Sequence, residues 1–398
     1  MAAQRLDAVV AQLSPSKAHL ESIVAKHPDD IVITLAVRTA FTKARKGGFN
    51  DTSLDHLSYS LLKQVIERSR IDPALINDIC FANCWDPQAV NKSRAAMLAA
   101  GFPYTSTASA VNRFCASGLK AVQDIANQIR EGSIEIGVAL GVELMPQGPA
   151  GDCGLSEEVL RNVDAVDCLQ PMIQTSENVA RDFNISRLAQ HQYAAESFRR
   201  AEIAKRPTGQ LETITIIKDE GPRYGTTVEA LSKLRPALPQ FGDTTTAGNA
   251  SQTTDGAAAV LLMKRSKALQ LGQPILGKFV GATVAGVPPR IMGIGPTAAI
   301  PRILSRFGLG TNDIDLYEIN EAFASMAVYC VESLGLDRQK LNPRGGAIAL
   351  GHPLAATGTR QIVTALSEAR RTKKRVLLTS MCVGSGQGMA SLVVNEQL

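Results

Sequence analysis

The sequence predicts an α/β protein built from two similar halves with a loop-rich insertion. Apolar segments of strand length alternate with amphipathic helices, the alternation starts again in the C-terminal third, and a Gly-, Pro- and Thr-rich stretch separates the two series. These changes divide the chain into an N-terminal extension at 1–27, an N-terminal half at 28–144 and 251–272, an insertion at 145–250 and a C-terminal half at 273–398. The similarity of the halves is inferred from pattern, because their direct sequence identity is weak.

The N-terminal half begins with a predicted buried strand at 31–37. An amphipathic helix at 53–69, a strand at 76–83 and a strongly apolar strand at 134–144 follow in order. Before the last of these, the segment AVNRFCASGLKAV at 110–122 places a cysteine just ahead of a predicted helix. Strands that alternate with helices are typical of buried parallel sheets, so we expect parallel strands here.

The insertion carries a long amphipathic helix at 185–205, followed by an irregular stretch rich in Gly, Pro and Thr. Irregular segments of this length are more often lids or binding loops than plain linkers. Residues 255–263 then return to a helix or a buried strand. The C-terminal half repeats the alternation, with predicted strands at 274–286, 314–320, 375–384 and 389–396 and predicted helices at 298–308 and 321–335.

Composition excludes several classes of protein. The 398 residues carry a net charge of +5, with 45% hydrophobic and 20% charged residues, as in an ordinary soluble globular protein. No apolar run is long enough to cross a bilayer. The basic cluster at 370–375 lacks the interleaved aromatic residues and recognition motif of a nucleic-acid site, so a solvated helix end is expected.

Cysteine and histidine spacing indicates free thiols and no metal site. The seven cysteines are odd in number, follow no disulfide framework and are preceded by no secretory signal, which favours a reducing compartment. Cys80 and Cys84 lie close together, but no second Cys or His pair stands at zinc spacing. The five histidines form no HExxH pattern. We therefore expect no metal.

Four residues stand beside small residues at predicted strand or helix ends. Cys115 precedes a helix, where the helix dipole and free N–H groups favour a thiolate, although a buried inert cysteine is the common alternative. Asn320 ends a strand in YEINEAF, where it is either a helix cap or part of a ligand site. His352 lies in the tight turns of NPRGGAIALGHPLAATGTR. Cys382 ends the strand before GSGQG, whose glycines precede a strand rather than the helix of a dinucleotide site.

Two cysteines, one histidine and one asparagine suit acyl transfer through a thioester. A cysteine thiolate is the nucleophile, and a neighbouring histidine accepts its proton. A second cysteine serves as acid and base toward a carbon acid. Backbone N–H groups in glycine turns hold the thioester oxygen as it becomes negative. No carboxylate pair, metal motif or phosphate loop in the sequence competes with this set.

Six segments of the chain resemble the signature blocks of thiolases, in order from about residue 31 to the C-terminus. They are NRFCASGLKAV, TTTAGNASQTTDGAAAVLL, VPPRIMGIGP, EINEAFA, NPRGGAIALGHP and MCVGSGQGMA. The segment DEGPRYGTTVEALSKLRPAL looks most like the peroxisomal, β-oxidation branch of the family in eukaryotes. The resemblance implies a five-layered αβαβα sandwich, a homodimer or dimer of dimers, and an insertion that grips coenzyme A.

The resemblance also assigns roles to matching residues. Cys115 matches the acyl-accepting nucleophile, and His352 matches its activator, which forms one oxyanion hole with a water held by Asn320. Cys382 matches the acid/base, and the N–H groups of Cys115 and Gly384 match the second oxyanion hole. Positions that match coenzyme A contacts are Arg223 and Ser251. The implied partners are 3-ketoacyl-CoA, coenzyme A and acetyl-CoA as substrates and products, with no cofactor.

Three departures from the family pattern bear on activity. Ala355 replaces a usual glycine, and a required positive φ or close backbone approach there would strain the loop that carries His352. Leu144 replaces a usual serine, which would reshape the acyl pocket. Segment 81–96 lacks the usual glycines and carries Trp85. These changes leave two alternatives to the β-oxidation enzyme, namely an acetoacetyl-CoA thiolase and a non-catalytic acyl-CoA-binding paralogue.

The N-terminal RLDAVVAQL combines Arg5 and Leu6 with Gln12 and Leu13 after five intervening residues. It is either an ordinary short amphipathic helix or, because it resembles a type-2 peroxisomal targeting signal, an address read by an import receptor. The thiolase resemblance favours the second interpretation. We therefore expect a peroxisomal protein.

Overall fold

A computed structural model describes residues 17–145, 154–204 and 218–398. Its strands are β1 Ile31–Arg38, β2 Thr42–Lys43, β3 Asp78–Ala82, β4 Thr107–Val111, β5 Ile136–Glu143, β6 Thr254–Lys264, β7 Gly277–Gly286, β8 Leu316–Ile319, β9 Val376–Val383 and β10 Gln387–Asn395. Its helices are α1 Lys17–Val24, α2 Leu54–Ser69, α3 Ala89–Ala100, α4 Ser117–Glu131, α5 Glu157–Leu160, α6 Val163–Asp167, α7 Met172–Asp182, α8 Arg187–Ala204, α9 Val228–Ser232, α10 Arg265–Gln270, α11 Gly295–Arg306, α12 Ala324–Leu334, α13 Ala347–Leu350 and α14 Leu354–Thr372. No helix in these ranges is long and apolar enough to span a membrane.

The two halves share one strand order. In the N-terminal half the order is β4-β3-β5-β6-β1, and in the C-terminal half it is β8-β9-β10-β7. Leu341 forms a parallel bridge with Tyr317 of β8 and so occupies the place that β4 has in the first half. The half-sheets join where Val32 and Ile33 of β1 pair with β7. The repeat predicted from the sequence pattern is thus confirmed.

The expectation of parallel strands is correct for only part of each sheet. Strands β3, β4 and β5 are parallel, as are β8 and β9, but β6, β1, β7 and β10 form antiparallel pairs. The turn at 384–386 explains one case, because a tight turn between β9 and β10 joins only antiparallel strands. Residues 255–263, left open between helix and strand, belong to β6.

Two helices, α4 and α14, lie between the half-sheets and contact each other. Helix α4 packs on β3 and β5 of its own half, whereas α14, from the C-terminal half, packs on β5 and β6 as well as β9. Their backbones meet at glycines: a Cβ at Gly118 would collide with Ala355 O, and a Cβ at Gly358 would collide with Leu119 N. Cys115 and His352 each stand shortly before one of these helices, so the crossing brings them to one end of the middle layer.

Replacing Gly118 with alanine tests this crossing. The added Cβ meets backbone atoms of α14 rather than a flexible side chain, so the helices must move apart. We expect the free energy of unfolding to fall by about 1–3 kcal/mol, measured by chemical denaturation. The matched control is Gly286→Ala, since a Cβ at Gly286 meets no atom within 4 Å. Equal stability of the two variants would contradict the backbone contact.

Candidate active site

Cys115 is held in a tight turn between β4 and α4. Phe114 before it adopts a left-handed conformation with φ of 44°. Ser117 supports the turn, because its hydroxyl donates to Phe114 O at 2.7 Å and accepts from the Arg113 N–H at 2.8 Å. The predicted position of Cys115 just before a helix is confirmed. Only 8% of the surface of Cys115 is exposed.

Burial dominates the electrostatics of the Cys115 thiol. It raises the pKa of Cys115 to about 11, although the N–H groups of Gly384 and of Cys115 itself act in the opposite direction. The N–H groups favour the thiolate as expected, but desolvation outweighs them, so the pKa lies above its usual value rather than below it. The role of these two N–H groups as an oxyanion hole stays a prediction.

Cys382 lies near the end of β9 and is fully buried. Its neighbours are apolar or sulfur-bearing, among them Met292, Phe323 and Met326, whose sulfur lies 3.4 Å from Cys382 Sγ. Burial first, and then the charge of Cys115, raise the pKa of Cys382 well above its usual range. Gly384, two residues after Cys382, lies against Phe114, the neighbour of Cys115.

His352 and Asn320 form a buried pair at the ends of loops from the C-terminal half. Asn320 Nδ2 donates to His352 Nε2 at 3.3 Å, and His352 Nδ1 lies 2.6 Å from Thr357 Oγ1. Because the Thr357 hydroxyl donates to Pro353 O at 3.2 Å, it accepts from Nδ1, which leaves Nε2 unprotonated as the acceptor of the hydrogen bond from Asn320. Burial, and then the charge of Arg360, lower the pKa of His352 to about 3, so the ring is neutral.

Asn320 is not a helix cap. Helix α12 begins at Ala324, and Asn320 instead continues β8, donating its backbone N–H to Ser380 O at 2.9 Å. Its side-chain Oδ1 is buried and has no hydrogen-bond partner in the described part of the chain. The asparagine therefore presents both a donor and an acceptor to the site.

Glu321 anchors the loop that carries His352, a role that the sequence did not assign to it although it stands beside Asn320 at the predicted strand end. Its buried carboxylate accepts from Ser197 Oγ at 2.7 Å, from Asn342 Nδ2 at 2.8 Å and from the Ile348 N–H at 3.2 Å. These contacts tie the insertion and the His352 loop to the end of β8. Adjacency to Asn320 was the signal available in the sequence.

The two positions matched to coenzyme A contacts lie in different settings. Ser251 donates its backbone N–H to Ala322 O at 2.9 Å, beside the strand end that carries Asn320. Gln252 joins two loops, since its Nε2 donates to Gly221 O at 2.9 Å and to Ile348 O at 3.0 Å. Arg223 follows on the first of these loops and is exposed at its surface.

The three departures have ordinary structural settings. Ala355 lies in the first turn of α14 and is absent from the residues with positive φ, so strain from a left-handed backbone does not occur. Leu144 packs against the apolar core of the N-terminal half. In segment 81–96, Asn83 Nδ2 donates to Val142 O at 2.9 Å, while Trp85 is 39% exposed. The effect of these changes on the acyl pocket stays a prediction.

Comparison with known proteins identifies the family. The models of the thiolase N-terminal domain and the thiolase C-terminal domain match residues 31–266 and 273–395. The chain belongs to the thiolase family. This thiolase is 50% identical to the peroxisomal 3-ketoacyl-CoA thiolase of Yarrowia lipolytica, over 98% of the chain and 100% of the relative. It is 49% identical to peroxisomal 3-ketoacyl-CoA thiolase B of Rattus norvegicus, over 91% and 90%.

Solved structures agree with this assignment. The dimeric peroxisomal thiolase of Saccharomyces cerevisiae superposes with a TM-score of 0.89 at 46% identity, covering 94% of this chain and 100% of the other. Human mitochondrial 3-ketoacyl-CoA thiolase gives a TM-score of 0.82 at 31% identity, covering 92% and 99%. Another structure of the yeast enzyme, with a TM-score of 0.77 and 40% identity over 94% of this chain and 99% of the other, is described as five-layered. The predicted five-layered fold is confirmed.

The reactivity of Cys115 toward iodoacetamide tests the electrostatics of the resting site. A thiol with a pKa of about 11 is protonated at neutral pH, and the rate of alkylation follows its thiolate fraction. We expect the alkylation rate of Cys115 to rise about tenfold per pH unit between pH 7 and pH 9, without a plateau. Peptide mass spectrometry separates Cys115 from the other cysteines. A plateau below pH 7 would mean that the resting residue is a thiolate.

Proposed function

We propose that this thiolase is a 3-ketoacyl-CoA thiolase of fatty-acid β-oxidation, acting through an acyl-Cys115 intermediate. The observation that carries the proposal is the setting of the Cys115 turn, in which Phe114 lies against Gly384, two residues after Cys382. The N–H groups of Gly384 and of Cys115 itself favour a negative charge on the Cys115 sulfur. A neutral His352, whose unprotonated Nε2 accepts from Asn320, lies at the same end of the middle layer. The names of the relatives from Yarrowia and Rattus support the substrate class.

The first half-reaction cleaves the 3-ketoacyl-CoA. Cys115 attacks the 3-keto carbon as His352 Nε2 accepts the thiol proton, which removes the need for a resting thiolate. The N–H groups of Cys115 and Gly384 stabilise the negative charge that develops on the oxygen bonded to this carbon. The C2–C3 bond then breaks, the acyl group stays on Cys115, and Cys382 protonates the departing acetyl-CoA carbanion.

Asn320 and His352 act together on a second oxygen, the thioester oxygen of the departing acetyl-CoA. Once Nε2 has taken the Cys115 proton, its N–H donates to the acetyl-CoA thioester oxygen as negative charge develops there. A water held on Asn320 donates to the same oxygen, since Asn320 Oδ1 is a buried acceptor without another partner among the described residues.

Before the second half-reaction the proton on His352 passes to the Cys382 thiolate, which restores the unprotonated Nε2. His352 Nε2 then accepts the proton of the coenzyme A thiol, whose sulfur attacks the acyl-Cys115 carbonyl. The bond between the acyl group and Cys115 breaks, and the Cys115 sulfur leaves and takes the proton back from His352. The products are acetyl-CoA and an acyl-CoA shortened by one acetyl unit.

Coenzyme A is a substrate in this mechanism, and neither a redox cofactor nor a metal takes part. We propose that its pantetheine passes Ser251 and that its nucleotide reaches Arg223. Support comes from Gln252, which links the loop preceding Arg223 to the loop that carries His352. The exposure of Arg223 suits contact with a phosphorylated ligand at the surface.

We propose that the enzyme is a homodimer assembled through β4. This strand pairs only with β3 among the described strands and has an exposed free edge. Large apolar side chains are exposed nearby, namely Trp85, Val90, Tyr104 and Phe114. An unprotected edge with apolar neighbours is a template for pairing with a second copy. The yeast relative is described as dimeric.

Thiolysis assays test the activity. The wild-type enzyme should cleave 3-ketoacyl-CoA substrates longer than four carbons, and mass spectrometry should find the acyl group on Cys115. Removing the nucleophile by Cys115→Ala should reduce kcat by about 10⁴-fold or more, as for other covalent nucleophiles. The Cys382→Ala variant should still become acylated by an acyl-CoA but fail to exchange protons at acetyl-CoA C2. Activity confined to the four-carbon substrate would indicate an acetoacetyl-CoA thiolase instead.

Import into the peroxisome is the proposed role of Arg5, Leu6, Gln12 and Leu13, which lie outside the described residues. The peroxisomal names of the relatives support this location. Because a receptor reads the charge and apolar face of such a signal, Arg5→Ala should leave a fluorescently tagged chain in the cytosol. A conservative Arg5→Lys variant is the control for the charge. Import of the Arg5→Ala variant at the wild-type level would contradict the receptor interaction.

A further inference from the structure

Glu143, a carboxylate without a role in the mechanism above, is buried beside the catalytic residues. It ends β5, and none of its surface is exposed. Every partner of its carboxylate in the described part of the chain is a neutral N–H or thiol group. A buried charge held by N–H groups alone is costly, so its retention calls for a specific use.

The carboxylate connects the two halves of the protein. Its Oε1 accepts from Asn83 Nδ2 at 3.0 Å, and its Oε2 accepts from the Cys84 N–H at 3.1 Å. The same Oε2 accepts from the Ala355 N–H at 3.0 Å. The first two donors lie after β3 in the N-terminal half. Ala355 lies in the first turn of α14, three residues after His352, where the helix dipole favours a carboxylate.

Cys84 extends this connection to the nucleophile. Its Sγ donates to Phe114 O at 3.0 Å and lies 3.4 Å from Ser117 Oγ, and these two residues form the turn that holds Cys115. Glu143 thus touches the His352 helix directly and the Cys115 turn through one residue. A displacement of either by about 1 Å is enough to cost an enzyme roughly 100-fold in rate.

We propose that Glu143 is a positioning residue of this site, whose carboxylate holds the Cys115 turn and the His352 helix in register and whose charge, added to the effect of burial, disfavours a negative charge on Cys115. The inference rests on the proposed function for its effect on turnover. Its effect on the Cys115 thiol is measurable without any turnover.

The electrostatic part follows from the groups around Cys115. Those that interact with its thiol are Glu143 on β5, Cys84 after β3 and Cys382 on β9. Burial raises the pKa of Glu143 to about 7. Above that pH the carboxylate is mainly ionised and raises the pKa of Cys115. Below it, Glu143 is protonated and this effect disappears.

Two variants separate position from charge. Glu143→Gln turns an amide N–H₂ toward N–H donors, so we expect kcat for thiolysis to fall by about 100-fold. The same variant removes the negative charge, so we expect the pH midpoint for alkylation of Cys115 to move to lower pH. Glu143→Asp keeps the charge but withdraws the oxygens, so kcat should fall while the midpoint stays at its wild-type value. In both variants KM for coenzyme A should change little.

A second buried carboxylate supplies the matched control. Glu177 on α7 accepts from the N–H groups of Thr244 and Thr245 at 3.1 and 2.6 Å, within the insertion. Glu177→Gln should lower the melting temperature without moving the Cys115 alkylation midpoint.

The proposal is overturned if a folded Glu143→Gln variant retains the wild-type kcat. It is also overturned if kcat falls without a shift of the Cys115 alkylation midpoint, because that result would indicate a purely structural role. A wild-type enzyme without thiolysis would refute the proposed function. In that case the alkylation midpoint of Glu143→Gln still decides whether Glu143 controls the Cys115 thiol.

Discussion

The backbone contact between α4 and α14 is the constraint on which the rest of this thiolase depends. Gly118 and Gly358 let the two helices approach until main-chain atoms touch, and Gly141 lets β5 approach Ala355 O in the same way. Each helix comes from a different half of the chain, and each follows a catalytic residue. A side chain at any of these glycines would separate the halves at the point where Cys115 and His352 must meet.

This close packing excludes water, and exclusion of water decides the protonation states. Burial raises the pKa of Cys115 to about 11 and lowers the pKa of His352 to about 3. Both residues are therefore neutral at pH 7, and an ion pair between them is disfavoured at rest. In the proposed mechanism the proton moves only when the substrate oxyanion develops against the N–H groups, which would make the site complementary to charge that exists in the transition state.

The sequence predicted which side chains meet better than it predicted the direction of the strands. Cys115, Asn320, His352 and Cys382 were recognisable because each stands beside small residues at the end of an element. The parallel sheet expected from strand–helix alternation was only partly found, since chain direction depends on connections such as the turn at 384–386, which periodicity does not report.

Two further residues show why sequence reasoning stopped where it did. Ala355 was expected to strain its loop, but backbone φ depends on where α14 begins, and ATGTR reads as a turn rather than as a helix. Glu143 was overlooked because it ends an apolar strand and its partners come from distant parts of the chain. Neither the backbone conformation of Ala355 nor the partners of Glu143 can be read from the neighbouring residues in the sequence.

Helix α14 also shows why a buried element in this fold is polar. Four of the five residues at 357–361 are polar, and all four are buried: Thr357, Thr359, Arg360 and Gln361. Arg360 pairs with Glu318 at 3.0 Å, and Gln361 Nε2 donates to Glu318 O at 2.9 Å. An apolar helix in the same place would tolerate rotation or a slide along its axis at little cost. Specific hydrogen bonds to β8 admit one position, and that position sets His352 against the Asn320 that follows β8.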